Sequence, residues 1–371
     1  MQIDVVTPSL SKAAGGVAPA VMNLYSELAF RYPEYFFDVC FLSGHECDWK
    51  SDRGVNLLEF SRSFPKTLGN SSELNQRAAD SRAEIVHAHG VWMMTTRYQN
   101  KIHSKQGVPY VVSPHGMLDS WILSRGKLKK IIAKALYETR SWKNSACFHA
   151  LTDYEAGAIR KVVPNANIRV IPNGINIPVL GRKDNDVLRI LYLGRFHEKK
   201  NLHTLVSAVC SISTQNFRRN PFVLDLAGWG DCSYIKTVKS LIKPQHEDRF
   251  NWIGPVFGDE KSKVLHEADA FILPSFSEGQ PVAVLEAWAH GLVVLKSIHC
   301  NMPEAFEKGF AVDTGTSVES VRRAILTLLN MSKQQREALA ESGYHYVSKK
   351  YSWSIVCEQF DDLYKDIKGA I

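Results

Sequence analysis

From Gln2 to Lys296 the chain repeats one pattern: a short apolar run rich in β-branched residues, a turn carrying glycine or proline, then a stretch with apolar residues three or four apart. Gln2–Thr7, Phe36–Leu42 and residues 84–90, 109–113, 147–151 and 167–171 are the runs of the first half. Leu188–Leu193, Phe222–Ala227 and residues 249–253, 269–273 and 291–296 are those of the second. Strands that alternate with helices pair in parallel through crossover connections, so the pattern predicts α/β sheets covered by helices. Residues 177–186, with Pro178, Gly181 and mixed charges, interrupt the series as a linker would. The expected organisation is a first domain over 1–178, a second over 187–350 and a closing segment over 351–371, where Val356, Phe360, Leu363 and Tyr364 are spaced to face a core. Residues 43–80 are polar and poorly periodic and read as a variable connection, while the chain from Ser317 onward reads as helical.

Composition excludes several classes. No apolar run approaches the ~18 residues of a membrane-spanning helix. Met1-Gln-Ile-Asp runs straight into a strand pattern without a leader's charged and apolar regions, so a cytoplasmic location is expected. Seven cysteines, none in a C-x-x-C pair, suggest neither a disulfide framework nor a zinc site. No metal and no nucleic-acid partner are expected. Of the net charge of +7, +6 falls before residue 179, and much of it lies in residues 125–143, where seven Lys/Arg stand against one Glu. Leu128, Ile131, Ile132, Ala135, Leu136 and Trp142 interrupt those cations. Such a basic amphipathic stretch either lies peripherally on an anionic membrane surface or is a core-facing helix with a solvated cationic back.

The chemistry-bearing residues fall at strand ends, where ligands gather in open α/β sheets. In the second domain the run 269–273 leads into Ser275-Phe-Ser-Glu-Gly-Gln-Pro-Val-Ala-Val-Leu-Glu-Ala-Trp-Ala-His-Gly291. Here Glu278 lies in a loop and Glu286 in the helix that starts near Pro281, so carboxylates that can accept from sugar hydroxyls stand beside the positive end of a helix. Gly194-Arg195-Phe-His-Glu-Lys-Lys200 follows another strand and supplies two cations suited to a diphosphate. In the first domain Gly15-Gly16 form a glycine turn that lets backbone N–H groups approach a phosphate, or else a simple tight turn. His87 and His89 alternate along one strand and so share a side, which we assign to the acceptor; His115 follows the next strand in Pro114-His-Gly-Met-Leu118.

The spacing Glu278-x7-Glu286, with Arg195, Lys200 and the Pro-His-Gly-Met-Leu run, resembles the retaining GT-B glycosyltransferases, in particular the family 4-like branch. The resemblance spans nearly the whole chain and matches loosely over 43–80 and 301–350. It implies two Rossmann-like domains facing each other across a cleft, with a C-terminal helix crossing back to the first. It further implies transfer of a sugar from a UDP- or GDP-sugar to a glycan or lipid-linked glycan, without a metal or other cofactor. In such enzymes Arg195 and Lys200 would bind the diphosphate, Glu286 the ribose, Glu278 with the N–H groups of Gly279, Gln280 and Val282 the sugar, and Val256-Phe257 the base. His115 would lie close to the donor sugar. Pro281 stands where glycine is commoner and removes one N–H donor. A sugar-nucleotide 2-epimerase of related fold would bring extra carboxylates to the first domain's strand ends, and a non-catalytic subunit would not need all four of Arg195, Lys200, Glu278 and Glu286. A dinucleotide dehydrogenase is disfavoured because Gly228-Trp-Gly230 lacks the fingerprint's third glycine.

Overall fold

A computed structural model describes residues 1–11, 16–44, 47, 49–181 and 185–369. The chain divides into one unit of Met1–Gly174 with Trp353–Ile371, and another of Ile175–Ser352. In the first unit β1 (Gln2–Thr7), β2 (Phe36–Leu42), β3 (Val55–Phe60), β4 (Ile85–His89), β5 (Tyr110–Ser113), β6 (Cys147–Ala150) and β7 (Ile168–Val170) form one parallel sheet in the order β3-β2-β1-β4-β5-β6-β7. The strand order reverses between β1 and β4, where Ile3 pairs with Ile85 on one side and Phe37 on the other.

Strand alternation decides which residues feed which face. Ile3 and Val5 of β1 pack under the helices Val17–Arg31 and Trp353–Gly369, while Val6 joins Val86, Val112 and Phe148 beneath the helix Arg97–Gln106. Asp4 points to the second face and is buried. It accepts from Ser81 Oγ at 2.6 Å and Tyr98 OH at 2.5 Å and pairs with Arg77 at 3.5 Å, so its charge is compensated rather than stranded.

Arg77 corrects one expectation. Residues 43–80 hold β3 and the helix Ser72–Arg77, whose N-cap Ser71 accepts from Leu74 N–H at 3.1 Å. Strand β3 lies at the sheet edge and only Val55 is fully buried, so its hydrophobic signal is diluted.

The second unit repeats the plan with β8 (Leu188–Leu193), β9 (Phe222–Ala227), β10 (Phe250–Gly254), β11 (Ala270–Leu273), β12 (Val293–Lys296) and β13 (Ala311–Asp313), all parallel in the order β10-β9-β8-β11-β12-β13. Reversal here falls between β8 and β11. Strand β13, three residues at the edge, is not among the runs read from the sequence. At the ends of β8, β9 and β10 the backbones crowd: Gly194 N–H donates to Ala227 O at 3.1 Å and Gly228 N–H to Gly254 O at 2.7 Å.

The basic stretch is helical from Lys127 to Asn144 but contains a π turn over Lys134–Glu138. Buried Glu138 accepts the Trp92 N–H there, and burial raises its carboxyl pKa to about 8. Trp142 is buried, whereas Leu128, Ile131, Ile132 and Leu136 are 72%, 64%, 51% and 74% exposed. These four apolar residues do not face a core, which corrects the core-facing alternative for them.

Candidate active site

The strand-order reversal of the second unit opens two loops side by side, one after β8 and one after β11. Two asparagines in the left-handed backbone region hold them. Buried Asn201 (φ 58°) follows Lys200, and its amide donates to Pro274 O and Thr316 O at 3.0 Å each. Asn301 (φ 54°) donates to Glu278 O at 2.5 Å and Gly279 O at 3.2 Å. Backbone bonds complete the frame, with Phe276 N–H on Lys199 O and Glu278 N–H on His299 O, both 2.9 Å. Asparagine tolerates a positive φ better than most residues, which is the signal that marks both.

This frame brings Lys200 Nζ to 2.7 Å from Glu278 Oε1, with side chains 22% and 9% exposed. Glu286, one turn into the helix Val282–Ala289, pairs with Lys261 Nζ at 2.5 Å. Lys261 comes from the helix Gly258–Glu267 and escaped the sequence reasoning, because no motif spacing connects it to Glu286. Each carboxylate of the pair thus carries its own lysine. Arg195 is exposed. Pro281 is the helix N-cap, Val282 the first helical residue, Gln280 is buried, and a Cβ on Gly279 would meet no atom within 4 Å. Val256 is buried, while Phe257 is 44% exposed and lies 5.2 Å from the Trp229 ring, centroid to centroid. The two rings form an open aromatic edge, and Trp229 too was missed.

In the first unit the structure collects His87, His89, His115 and His149 at the ends of β4, β5 and β6. The rings of His87 and His89 stack at 4.3 Å, as alternate positions on one strand require. Their assignment to the acceptor side needs correcting. Both are buried, and both nitrogens of each are engaged, His87 with Tyr364 OH (2.8 Å) and Ser113 Oγ (2.7 Å), His89 with Tyr25 OH (2.6 Å) and His115 Nε2 (2.8 Å). Neither can offer a hydrogen bond to a ligand. Burial drives the His87 and His89 pKa values well down, His115 to about 3 and His149 to about 4, so all four rings are neutral near pH 7.

His115 (φ 53°) is half-buried and has no further partner among the described residues. Its loop is tied by Glu155, which accepts from Gly116 N–H at 2.6 Å and Leu151 N–H at 2.8 Å, while Thr152 caps the helix that carries it. Gly15 lies outside the described residues. Gly16 has a right-handed backbone, and a Cβ there would meet nothing, so no steric demand holds that glycine. Among the described residues no three His, Cys, Asp or Glu cluster to hold a metal ion.

Two domain models match in succession, a glycosyl transferase 4-like domain over residues 15–174 and glycosyl transferases group 1 over 188–331. The chain belongs to the GT-B glycosyltransferase family. Among its relatives, the amylovoran biosynthesis glycosyltransferase AmsK of Erwinia amylovora is 35% identical over 39% of this chain and 37% of its own. The putative glycosyltransferase EpsF of Bacillus subtilis is 24% identical over 89% and 90%. The chain spans only 30–40% of the length of AmsK and of two colanic acid glycosyltransferases that match over similar stretches. Anabaena HepE, solved in complex with UDP-glucose, superposes with a TM-score of 0.76 at 13% identity over 99% of this chain and 100% of its own, a likeness of GT-B fold.

Proposed function

We propose that this protein transfers a sugar, with retention, from a nucleotide diphospho-sugar to a hydroxyl of a growing bacterial surface glycan, the acceptor carried on a membrane lipid. The observation that carries the reading is the Lys200–Glu278 pair at 2.7 Å at the strand-order reversal, with Arg195 on the same loop. A diphosphate entering there takes Lys200 from Glu278 and frees the carboxylate to accept sugar hydroxyls. Glu286, released in the same way by Lys261, accepts from the ribose, and the Trp229–Phe257 edge receives the base. The bond from the sugar's anomeric carbon to the phosphate oxygen breaks as that from the acceptor oxygen forms on the same face, and a phosphate oxygen takes the acceptor's proton. Arg195 and Lys200, rather than a metal, stabilise the charge left on the diphosphate. The names of AmsK and of HepE's ligand support this substrate class.

Calorimetric titration in EDTA tests the reading. UDP- or GDP-sugar should bind without a metal. Glu278→Ala should weaken the nucleotide-sugar by roughly 1–3 kcal/mol while barely changing the free nucleoside diphosphate, and Glu286→Ala should weaken both. Equal losses on both ligands for Glu278→Ala, or binding abolished by EDTA, would refute the assignment.

Membrane contact belongs to the same proposal. Leu128, Ile131, Ile132 and Leu136 are spaced to form one exposed stripe flanked by Lys127, Lys129 and Lys134, a combination suited to an anionic lipid surface. Lys130 is excluded from that role because its Nζ donates to Ile122 O and Arg125 O. Changing Lys127, Lys129 and Lys134 to Gln removes about 1 kcal/mol of attraction each and should release the protein from anionic vesicles at low salt. Unchanged co-sedimentation would leave the cations merely solvated.

A further inference from the structure

A lysine shut away from water needs a reason, because a methionine would fill much the same space and desolvate no charge. Lys296 is such a residue: it ends β12 and is 0% exposed. Its backbone is fixed in the sheet, in register with Asp313 of β13, and its carbonyl accepts from Thr314 N–H at 3.1 Å. Its Nζ donates to Met302 O at 2.9 Å and lies 3.9 Å from the centroid of the Phe306 ring. Among the described residues no carboxylate pairs with it. Burial pushes its pKa down to about 8, so the ammonium persists near pH 7. What that ammonium does is close a loop, since one side chain joins the two ends of the stretch 297–301.

The loop is the support on which the Glu278 segment lies. Ser297 N–H donates to Leu273 O at 3.2 Å, and Ser297 Oγ to Ser275 O at 2.6 Å. His299 O accepts the Glu278 N–H, and the Asn301 amide holds the carbonyls of Glu278 and Gly279. Within the loop, Cys300 N–H turns back to Ser297 O and Asn301 N–H to Ile298 O, and Ser297, Cys300 and Met302 are buried. We propose that Lys296 is a positioning residue for Glu278: by tying Met302 O to the end of β12 it fixes the loop 297–301, and through His299 and Asn301 the place of the Glu278 backbone. Lys296 acts on a ligand only through that loop. That the held segment grips the donor's sugar rests on the function proposed above.

Hydrogen exchange of the full chain, read by mass spectrometry without ligand, tests the positioning by itself. Lys296→Met keeps an unbranched apolar stem and removes the ammonium. The Glu278 amide should then exchange roughly tenfold faster, the range of one hydrogen bond to a charged group, while the amides of β12 and β13 keep their protection. The melting temperature should hold or rise, because a buried charge has been removed. Should Lys296→Met fail to fold, Lys296→Gln, whose amide ends short of the ammonium's position, gives the same readout. A Glu278 amide indifferent to the substitution overturns the proposal, and so does faster exchange throughout the second unit with a lower melting temperature, which would make Lys296 a support of the whole sheet. A parallel titration separates this from the sugar assignment. The variant should bind nucleotide-sugar roughly fivefold more weakly with the free nucleoside diphosphate unaffected. Equal losses on both ligands would overturn the positioning of Glu278 alone. Faster exchange at Glu278 with unchanged sugar affinity keeps the positioning and overturns the contact of that segment with the sugar.

Discussion

Lys200→Ala is expected to lower turnover about 100- to 1,000-fold, the range found when one preorganised donor to a developing negative charge is removed. Two losses combine in that number. The leaving diphosphate loses a cation, and Glu278, only 9% exposed, keeps its charge without the ammonium that stood 2.7 Å away. Arg195→Ala isolates the first loss, because Arg195 is exposed and its removal strands no buried group. Its rate should fall by a similar order while its melting temperature stays within a degree or two of the unaltered protein. Near-normal turnover in both variants, measured with saturating donor, would rule out the diphosphate role.

Gly228→Ala is the substitution expected to damage folding most. A Cβ there would lie 1.9 Å from Gly194 O, at a φ of +153° that side chains rarely adopt. Neither backbone can withdraw easily, since Gly228 N–H is bonded to Gly254 O and Gly194 N–H to Ala227 O. Backbone strain and overpacking of about 1–3 kcal/mol each add to roughly 4 kcal/mol, enough to lower the melting temperature of this unit by about 10 °C. Gly279→Ala is the contrast: its Cβ meets nothing, so stability should hold and only donor affinity should fall. Thermal unfolding followed by circular dichroism distinguishes the two, and an unshifted Gly228→Ala transition would mean that the strand ends yield more than their bonds suggest.

What the sequence made legible was what repeats or is spaced. The strands that lie inside the sheets are short apolar runs with buried side chains, and each ends in a turn residue; they could be read one by one. A place at a sheet edge does not by itself hide a strand, since edge strands β7 and β10 were read as runs; β3 and β13 were not, their half-exposed residues lying among polar stretches without a period. The site divides along the same line. Glu278, Glu286, Arg195 and Lys200 sit at fixed local offsets. Lys261 meets Glu286 only because the fold brings together residues of two separate helices, and Asn201 and Asn301 matter for a backbone angle that nothing in their neighbours announces. The histidines were found for the right reason, alternation on one strand, and misread in role, because the partners that occupy them are far away in the chain, Tyr25 and Tyr364 above all.

The last helix has a consequence for how the molecule is made. Trp353, Val356, Phe360, Leu363 and Tyr364 belong to the same core as Ile3 and Val5, Asp361 accepts from Tyr35 OH at 2.5 Å, and the Trp353 ring sits so close to Gly174 that a Cβ would come within 2.1 Å of it. A ribosome delivers β1 long before this helix. Throughout synthesis one face of the first sheet, with His87 and Tyr25 among its polar groups, waits without its final layer, while the contiguous stretch from Ile175 to Ser352 has everything it needs to close. The unit begun first is therefore the unit finished last, and for the time it takes to make residues 175–352 its exposed half is a surface for chaperones to cover.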